Sequence, residues 1–229
     1  MRYSKQKHLL DSALKIALEG RDLGDFYIAG GAVRSVFAGE PIRDLDLYFF
    51  KEPSEVILPE KDFELLFSSF VADTWRNKKN GKIVQIIKKF YGDPEKVIRK
   101  FDFTISMGAY IPKDGVFILD DRFLYHLAEK RLVFNVETDY PLSSLWRVKK
   151  FLHRGYNIGA VDLIALGLKI HSLKLETFSD LKEQIDGIDT LLLKPLTDRL
   201  IEDKGGDKYD LLEFLGYIEN KIESIWGKE

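Results

Sequence analysis

Two aspartates one residue apart stand in the segment Arg43-Asp44-Leu45-Asp46. In a β-strand, alternate side chains point to the same face, so Asp44 and Asp46 would present two carboxylates to one spot. Two like charges held that close repel each other unless a cation lies between them, and Mg²⁺, which prefers oxygen ligands, commonly fills this role. Such a pair also occurs on solvated strand edges, so its neighbours in the sequence decide its meaning.

A glycine pair, Gly30-Gly31, precedes the aspartates, and Arg34 follows the pair. Residues 25–29 form a short apolar run that predicts a buried strand, and residues 32–38 predict a short helix closed by Gly39. A Gly-Gly turn that opens a helix exposes backbone N–H groups and the positive end of the helix dipole, which suits a phosphate. Arg34 would add a charge-assisted contact. The pattern predicts a triphosphate cradle beside a magnesium ligand pair.

A third carboxylate would complete a site of this kind. Asp102 begins a strand that we predict over residues 102–110, and it is the candidate. Two metal ions about 4 Å apart would activate an attacking hydroxyl and stabilise a leaving pyrophosphate. Each feature alone is common in ordinary turns and surfaces. The order of strand, glycine pair, helix and aspartate strand is the order that this chemistry needs.

The rest of the chain divides into a mixed part and a helical part. Apolar spacing predicts helices at 6–19 and 63–70, and β-prone stretches meet around Asn80-Gly81, a favoured hairpin pair. Beyond residue 136, helical spacing dominates, over residues 142–154, 161–171, 178–193 and 209–226. We therefore predict an α+β fold, with a mixed β-sheet and helices over residues 1–135 and a smaller all-helical domain over residues 136–229.

Composition narrows the functional classes. The 229 residues include no cysteine, which excludes disulfides and zinc-thiolate sites. No apolar run is long enough to cross a bilayer, and the N-terminus is polar, so we expect a cytoplasmic protein without membrane partners. The net charge of −2 excludes nucleic-acid binding through a strongly basic overall field. Residues 147–154 form a basic cluster with interleaved aromatics, which suits either a nucleic-acid backbone or a solvated helix face.

Three segments carry a family resemblance. The run Gly30-Gly31-Ala32-Val33-Arg34, followed by Gly39 and Asp44-Leu45-Asp46, resembles the head-domain motif of class II CCA-adding enzymes and bacterial poly(A) polymerases. These enzymes belong to the polymerase-β-like nucleotidyltransferase superfamily. The segment from Asp102 to Met107 resembles the second motif of that family, and the segment from Pro141 to Phe151 resembles the helix that follows the head.

The resemblance implies transfer of a nucleoside monophosphate from a nucleoside triphosphate to an acceptor hydroxyl. RNA, such as a tRNA 3′ end, is the first acceptor expected, and a protein partner would supply further RNA-binding surface. The resemblance implies that Asp44 and Asp46 are catalytic carboxylates and metal ligands, and that Asp102 is either the third such carboxylate or a ribose contact. The nucleotide-binding residues that we expect are Gly30, Gly31, Arg34, Arg43, Arg147 and Lys150.

The chain departs from the family pattern beside the metal pair. Ser35 stands where the family usually has aspartate, Glu40 where it has arginine, and Ser106 where it has asparagine. Lys100-Phe101 replaces an arginine pair, and Ser143-Ser144 lies where a basic residue is common. Two alternatives therefore stay open: the same chemistry on a protein or small-molecule acceptor, and a non-catalytic nucleotide-binding protein derived from this head domain.

Overall fold

A computed structural model describes residues 2–53 and 56–185 of the chain. Its α-helices are α1 Ser4–Leu18, α2 Gly31–Ala38, α3 Pro94–Ile98, α4 Phe123–Ala128, α5 Pro141–Leu152, α6 Ala160–His171 and α7 Phe178–Ile185. Its strands are β1 Phe26–Ala29, β2 Asp44–Phe49, β3 Phe63–Ser68, β4 Ala72–Asn77, β5 Ile83–Ile87, β6 Gly108–Ile111, β7 Val116–Leu119, β8 Arg131–Leu132 and β9 Asn157–Ile158. One 3₁₀ turn spans Thr104–Ser106.

Seven strands form one mixed sheet in the order β3-β4-β5-β2-β1-β6-β7. Strand β2 lies at its centre, antiparallel to β1 and parallel to β5. The apolar side chains of these central strands are fully buried, as Ile28 and Leu47 at 0% exposure illustrate. The architecture confirms the predicted α+β fold, and it puts the aspartate strand at the middle of the sheet.

Apolar layers cover both faces of the sheet. On one face, Leu10 and Leu18 of α1 and Val33 of α2 join Leu45 of β2 in the larger core. On the other face, Val97 and Ile98 of α3 pack in a second cluster with Tyr27 and Tyr48. Because β2 contributes to both layers, packing holds its backbone in place from two sides.

The predicted helix at 63–70 is wrong, because this segment forms β3. Apolar residues at 63, 66, 67 and 70 have helical spacing. In the structure, β3 pairs antiparallel with β4, and its register shifts between Leu65 and Phe67. This bulge breaks the alternation that normally identifies a strand, and pairing across the sheet decides the conformation.

Beyond residue 136, the described part of the chain is largely helical, as predicted, with α5, α6 and α7. Strand β9 is an exception, and it pairs in parallel with β8 of the preceding segment. The predicted helix at 178–193 is described only as far as Ile185, and the one at 209–226 lies outside the described residues. Among the residues described, no helix has the length and apolar character needed to span a membrane.

Candidate active site

Asp44 and Asp46 lie on one face of β2. Both are partly exposed, whereas the alternating Leu45 and Leu47 are buried. In the parallel pairing with β5, Asp44 stands opposite Ile83 and Asp46 opposite the buried Gln85. The predicted strand therefore presents both carboxylates on the same side of the sheet.

The glycine pair forms the turn between β1 and α2. Gly30 has φ 74° and ψ −121°, a conformation that L-residues rarely adopt, and its N–H donates to the Gly108 carbonyl at 2.9 Å. A Cβ on Gly30 would lie 3.4 Å from the Phe101 ring, whereas a Cβ on Gly31 would meet nothing within 4 Å. Gly31 begins α2, so the open space at the helix N-terminus is next to the aspartate strand.

A cleft of about 350 Å³, here called the basic cleft, brings these elements together. It contains all the predicted site residues except Gly30 and Asp102: Gly31, Arg34, Arg43, Asp44, Asp46, Arg147 and Lys150. Glu40 and Arg154 also line it. Five cationic side chains and three carboxylates thus share one cavity, which gives the cleft an excess of positive charge.

Arg34 forms the buried wall of the basic cleft. It is 6% exposed, and its guanidinium stands over the Phe151 ring at 5.0 Å from the ring centroid. Its Nη2 lies 3.3 Å from a carboxylate oxygen of Glu40. Burial lowers the pKa of Arg34 from its ordinary value, and the charge of Glu40 acts in the opposite direction.

Helix α5 supplies the opposite wall. Arg147, Lys150 and Phe151 stand three and four residues apart, so they share one face of the helix. Arg147 also stacks loosely on Phe151, with its guanidinium 5.9 Å from the ring centroid. Helix α5 therefore lines the same cavity as Gly31 of the glycine turn.

The position of Asp102 corrects one expectation, that of a strand beginning at this residue. It begins no strand: it precedes the 3₁₀ turn, and β6 starts only at Gly108. Its buried carboxylate forms an ion pair with Arg147, at 3.2 Å between Oδ2 and Nη1. Within residues 2–53 and 56–185, no cluster of three or more His, Asp or Glu side chains has the geometry of a metal site. Asp102 and Asp46 line one cavity, and the expectation that Asp102 joins Asp44 and Asp46 as a metal ligand stays a prediction.

A smaller cavity, here called the aromatic cavity, adjoins the basic cleft and shares Gly31, Asp46 and Arg147 with it. Gly30 and Asp102 line it, together with four aromatic side chains, Tyr48, Phe90, Phe101 and Tyr140. The Tyr48 ring lies 5.7 Å from that of Phe101, and the Phe90 ring lies 6.1 Å from that of Tyr140. Burial, followed by the charge of Asp46, raises the pKa of Tyr48 far above its ordinary value.

The sequence did not predict the aromatic lining of the smaller cavity, nor that Glu40 lies in the basic cleft beside Arg34. The four aromatic residues come from separate segments between positions 48 and 140, so no local spacing marks them. Glu40 was visible only as a departure from a motif. Arg154 belongs to the basic cluster noted in the sequence, but the pattern did not connect it with the aspartates.

These elements give the chain a fold similar to that of CCA-adding enzymes. The chain is similar to the structure of a CCA-adding enzyme complexed with CTP, with a TM-score of 0.56 and 17% identity over 99% of this chain and 63% of that one. It is also similar to the Thermotoga maritima CCA-adding enzyme complexed with tRNA, with a TM-score of 0.53 and 19% identity over 87% of this chain and 53% of that one. These likenesses confirm the predicted resemblance as a resemblance of fold.

Sequence comparison then gives the family. The model for Gabija anti-defense 2 family proteins matches residues 3–130. A relative, "Gabija anti-defense 2" of Bacillus phage SPbetaL7, is 31% identical over 226 residues, which are 97% of this chain and 56% of the relative. The chain belongs to the Gabija anti-defense 2 family. It spans a little more than half the length of that relative.

Proposed function

We propose that the chain transfers a nucleoside monophosphate from a nucleoside triphosphate to an acceptor hydroxyl, and that this transfer acts against the Gabija defence named in its family. The observation that carries the proposal is the basic cleft. It combines Asp44 and Asp46 on one strand face with the Gly31 helix start and the arginine walls. Polyphosphate binding and phosphorus chemistry need these components in one place.

In this proposal the triphosphate lies between the two walls of the basic cleft. The Gly31 end of α2 offers backbone N–H groups and the helix dipole to the phosphates. Arg34 on one side, with Arg147 and Lys150 on the other, offsets the phosphate charge. The nucleoside then extends into the aromatic cavity, where rings such as Phe101 and Tyr140 can contact a planar base.

The chemistry of the donor set fits magnesium. Asp44 and Asp46 are paired carboxylates that are partly exposed to a cleft suited to phosphates, and Mg²⁺ is typically shared between one or two carboxylates and substrate phosphates. When bound, Mg²⁺ in a two-ion arrangement supplies Lewis-acid stabilisation at the reacting phosphate. Asp44 and Asp46 are the residues that would hold it, and Asp102, which pairs with Arg147, is the candidate third carboxylate.

The proposed step is a displacement at the α-phosphorus. The acceptor oxygen forms a bond to the α-phosphorus, and the bond from that phosphorus to the oxygen bridging the β-phosphate breaks. Pyrophosphate leaves with that electron pair, and the acceptor's proton passes to solvent. Arg34, Arg147 and Lys150 hold the pyrophosphate portion and stabilise the charge that develops on it.

Two acceptor classes follow from different observations. RNA is the first, supported by the basic cluster at residues 147–154, which includes the exposed Lys149, and by the tRNA complex of a structural neighbour. A protein acceptor is the second, and the family description favours it, because a component of a defence system would be a direct target for modification. If RNA is the acceptor, a protein partner would contribute further RNA-binding surface.

The experiment is label transfer from each α-labelled nucleoside triphosphate, with Mg²⁺, to total RNA and to the proteins of a Gabija system. Asp44→Asn tests the site, and Asp114→Asn, an exposed aspartate outside the cavities described, is the matched control. The proposal expects label on one acceptor class with wild type and Asp114→Asn, and none with Asp44→Asn. Nucleotide binding without label on either class would contradict transfer and favour the non-catalytic alternative.

A further inference from the structure

The carboxylate of Glu40 bridges two arginines of the basic cleft. Its Oε2 lies 3.3 Å from Nη2 of Arg34 and 3.8 Å from Nη1 of Arg154. Arg34 belongs to α2, whereas Arg154 follows α5, so Glu40 joins the two walls of the cleft. An acidic side chain therefore occupies the arginine-lined part of the cavity, where an anion would bind.

The end of helix α2 places Glu40 there. Gly39 adopts the left-handed conformation with φ 70°, which ends the helix, and the N–H of Glu40 donates to the Ser35 carbonyl at 2.9 Å. This cap turns the chain back toward the side of the helix that carries Arg34.

Burial explains why Arg34 needs this counter-charge. The residue is 6% exposed, and its Nε finds no hydrogen-bond partner among the residues described. A buried guanidinium is costly without an anion beside it, and Glu40 supplies that anion. The Glu40 side chain is itself 29% exposed, so its carboxylate also faces any ligand that approaches the two arginines.

We propose that Glu40 is a specificity-determining residue, which disfavours free polyphosphate and favours polyphosphate that carries a divalent cation. The inference rests on the proposed function, because it takes the basic cleft as the phosphate site. A phosphate that contacts Arg34 or Arg154 comes within a few ångströms of the Glu40 carboxylate, and the two negative charges repel. The repulsion grows with ligand charge, and bound Mg²⁺ removes two negative charges from the polyphosphate.

Titration calorimetry with inorganic tripolyphosphate, with and without Mg²⁺ at low ionic strength, tests the proposal. Glu40→Gln keeps the size of the side chain and an oxygen acceptor for the arginines but removes the charge. We expect it to bind metal-free tripolyphosphate about tenfold more tightly than wild type, and the magnesium complex only about two- to threefold more tightly. Glu40→Asp keeps the charge and should stay near wild type. Glu60→Gln, at an exposed site outside the cleft, controls for net charge.

Thermal unfolding of each variant verifies the fold, and Glu40→Ala replaces Glu40→Gln as the uncharged variant if the latter does not fold. If the uncharged variant binds tripolyphosphate no more tightly than wild type, the inference about Glu40 is overturned, whereas the proposed function is not. Glu40→Asp behaving like Glu40→Gln also overturns it, because bridge geometry rather than charge would then control affinity. The absence of tripolyphosphate binding in every variant, with or without Mg²⁺, overturns the phosphate site itself, and the proposed function with it.

Discussion

Arg147 on α5 is held by Asp102, with 3.2 Å between Nη1 of the arginine and Oδ2 of the aspartate. The second guanidinium nitrogen, Nη2, lies 3.4 Å from the Ser106 hydroxyl. Asp102 is 4% exposed and Arg147 lines both cavities, so one ion pair fixes the border between the basic cleft and the aromatic cavity. The pair also connects the helical segment to the segment that contains the sheet.

A double-mutant cycle should detect this coupling. Asp102→Asn and Arg147→Gln should each lower the free energy of unfolding by about 1–3 kcal/mol, because each removes one member of an ion pair whose carboxylate is buried. The double variant should lose less than the sum of the two single losses, as measured by urea unfolding. The surface pair Arg76–Glu64, at 3.5 Å, is the control, with an expected coupling below about 0.5 kcal/mol. Additive losses at Asp102 and Arg147 would contradict the account.

A side chain at Gly30 should destabilise the fold. The φ of 74° strains any L-residue, whereas the new Cβ itself would lie at contact distance, 3.4 Å from the Phe101 ring. Gly30→Ala should therefore lower stability by about 1–2 kcal/mol in thermal or urea unfolding. Gly167→Ala is the matched control, because Gly167 lies within helix α6 with open space around it. That control should raise stability by up to about 1 kcal/mol, and equal effects at the two sites would refute the turn argument.

His126 should make stability depend on pH. Burial, followed by the charges of Arg131 and Arg122, lowers its pKa below the ordinary 6.5, and its Nδ1 lies 2.8 Å from the Thr104 hydroxyl. The unfolded chain then takes up a proton at a higher pH than the folded chain does. The contribution of His126 to stability is therefore complete above 6.5 and is lost as the pH falls below that value.

The free energy of unfolding, measured over a pH series, tests this dependence. His126→Gln should reduce the loss of stability below pH 6.5 relative to wild type. His8→Gln, at an exposed position on α1, should leave the profile unchanged. An identical pH profile in His126→Gln and wild type would show that another group causes the dependence.

An RNA acceptor would bind partly through Lys149, an exposed lysine of the basic cluster on α5. Each phosphate contact made by a cation contributes about 0.7 to the slope of log K against log salt for a single strand. Lys149→Gln should therefore weaken binding of total tRNA and reduce that slope by about 0.7. Lys61→Gln, an exposed lysine outside the cleft, is the control and should leave the slope unchanged. Binding that does not vary with salt would remove RNA as the acceptor.

The elements that carry the site could be predicted because their sequence signals are local. The apolar run before Gly30-Gly31, the short helix to Gly39 and the alternation around Asp44 and Asp46 are all set within about 20 residues, and the structure reproduces their order. Strand β2 lies between β1 and β5, as its buried Leu45 and Leu47 lead one to expect for a central strand.

The features that the sequence did not predict depend on contacts between segments that are distant in the chain. The bulge in β3 made a strand resemble a helix, and only its pairing with β4 resolves the ambiguity. Asp102 looks like the start of a strand, but it precedes a 3₁₀ turn and pairs with Arg147, 45 positions away. The bridge from Glu40 to Arg154 spans a still longer separation, and no spacing rule within a single element reports contacts of this kind.

Nucleotidyl transfer is tested most directly with a nucleoside triphosphate labelled differently at its α- and γ-phosphates, with Mg²⁺ and the acceptor that takes up label. We expect the α-label to join the acceptor while the γ-label appears in pyrophosphate in equal amount. Asp44→Asn and Asp46→Asn, with their fold intact, should slow both at least about a thousandfold, whereas Asp114→Asn should not. Transfer that survives in both variants, or γ-label on the acceptor, would contradict nucleotidyl transfer at this pair of aspartates.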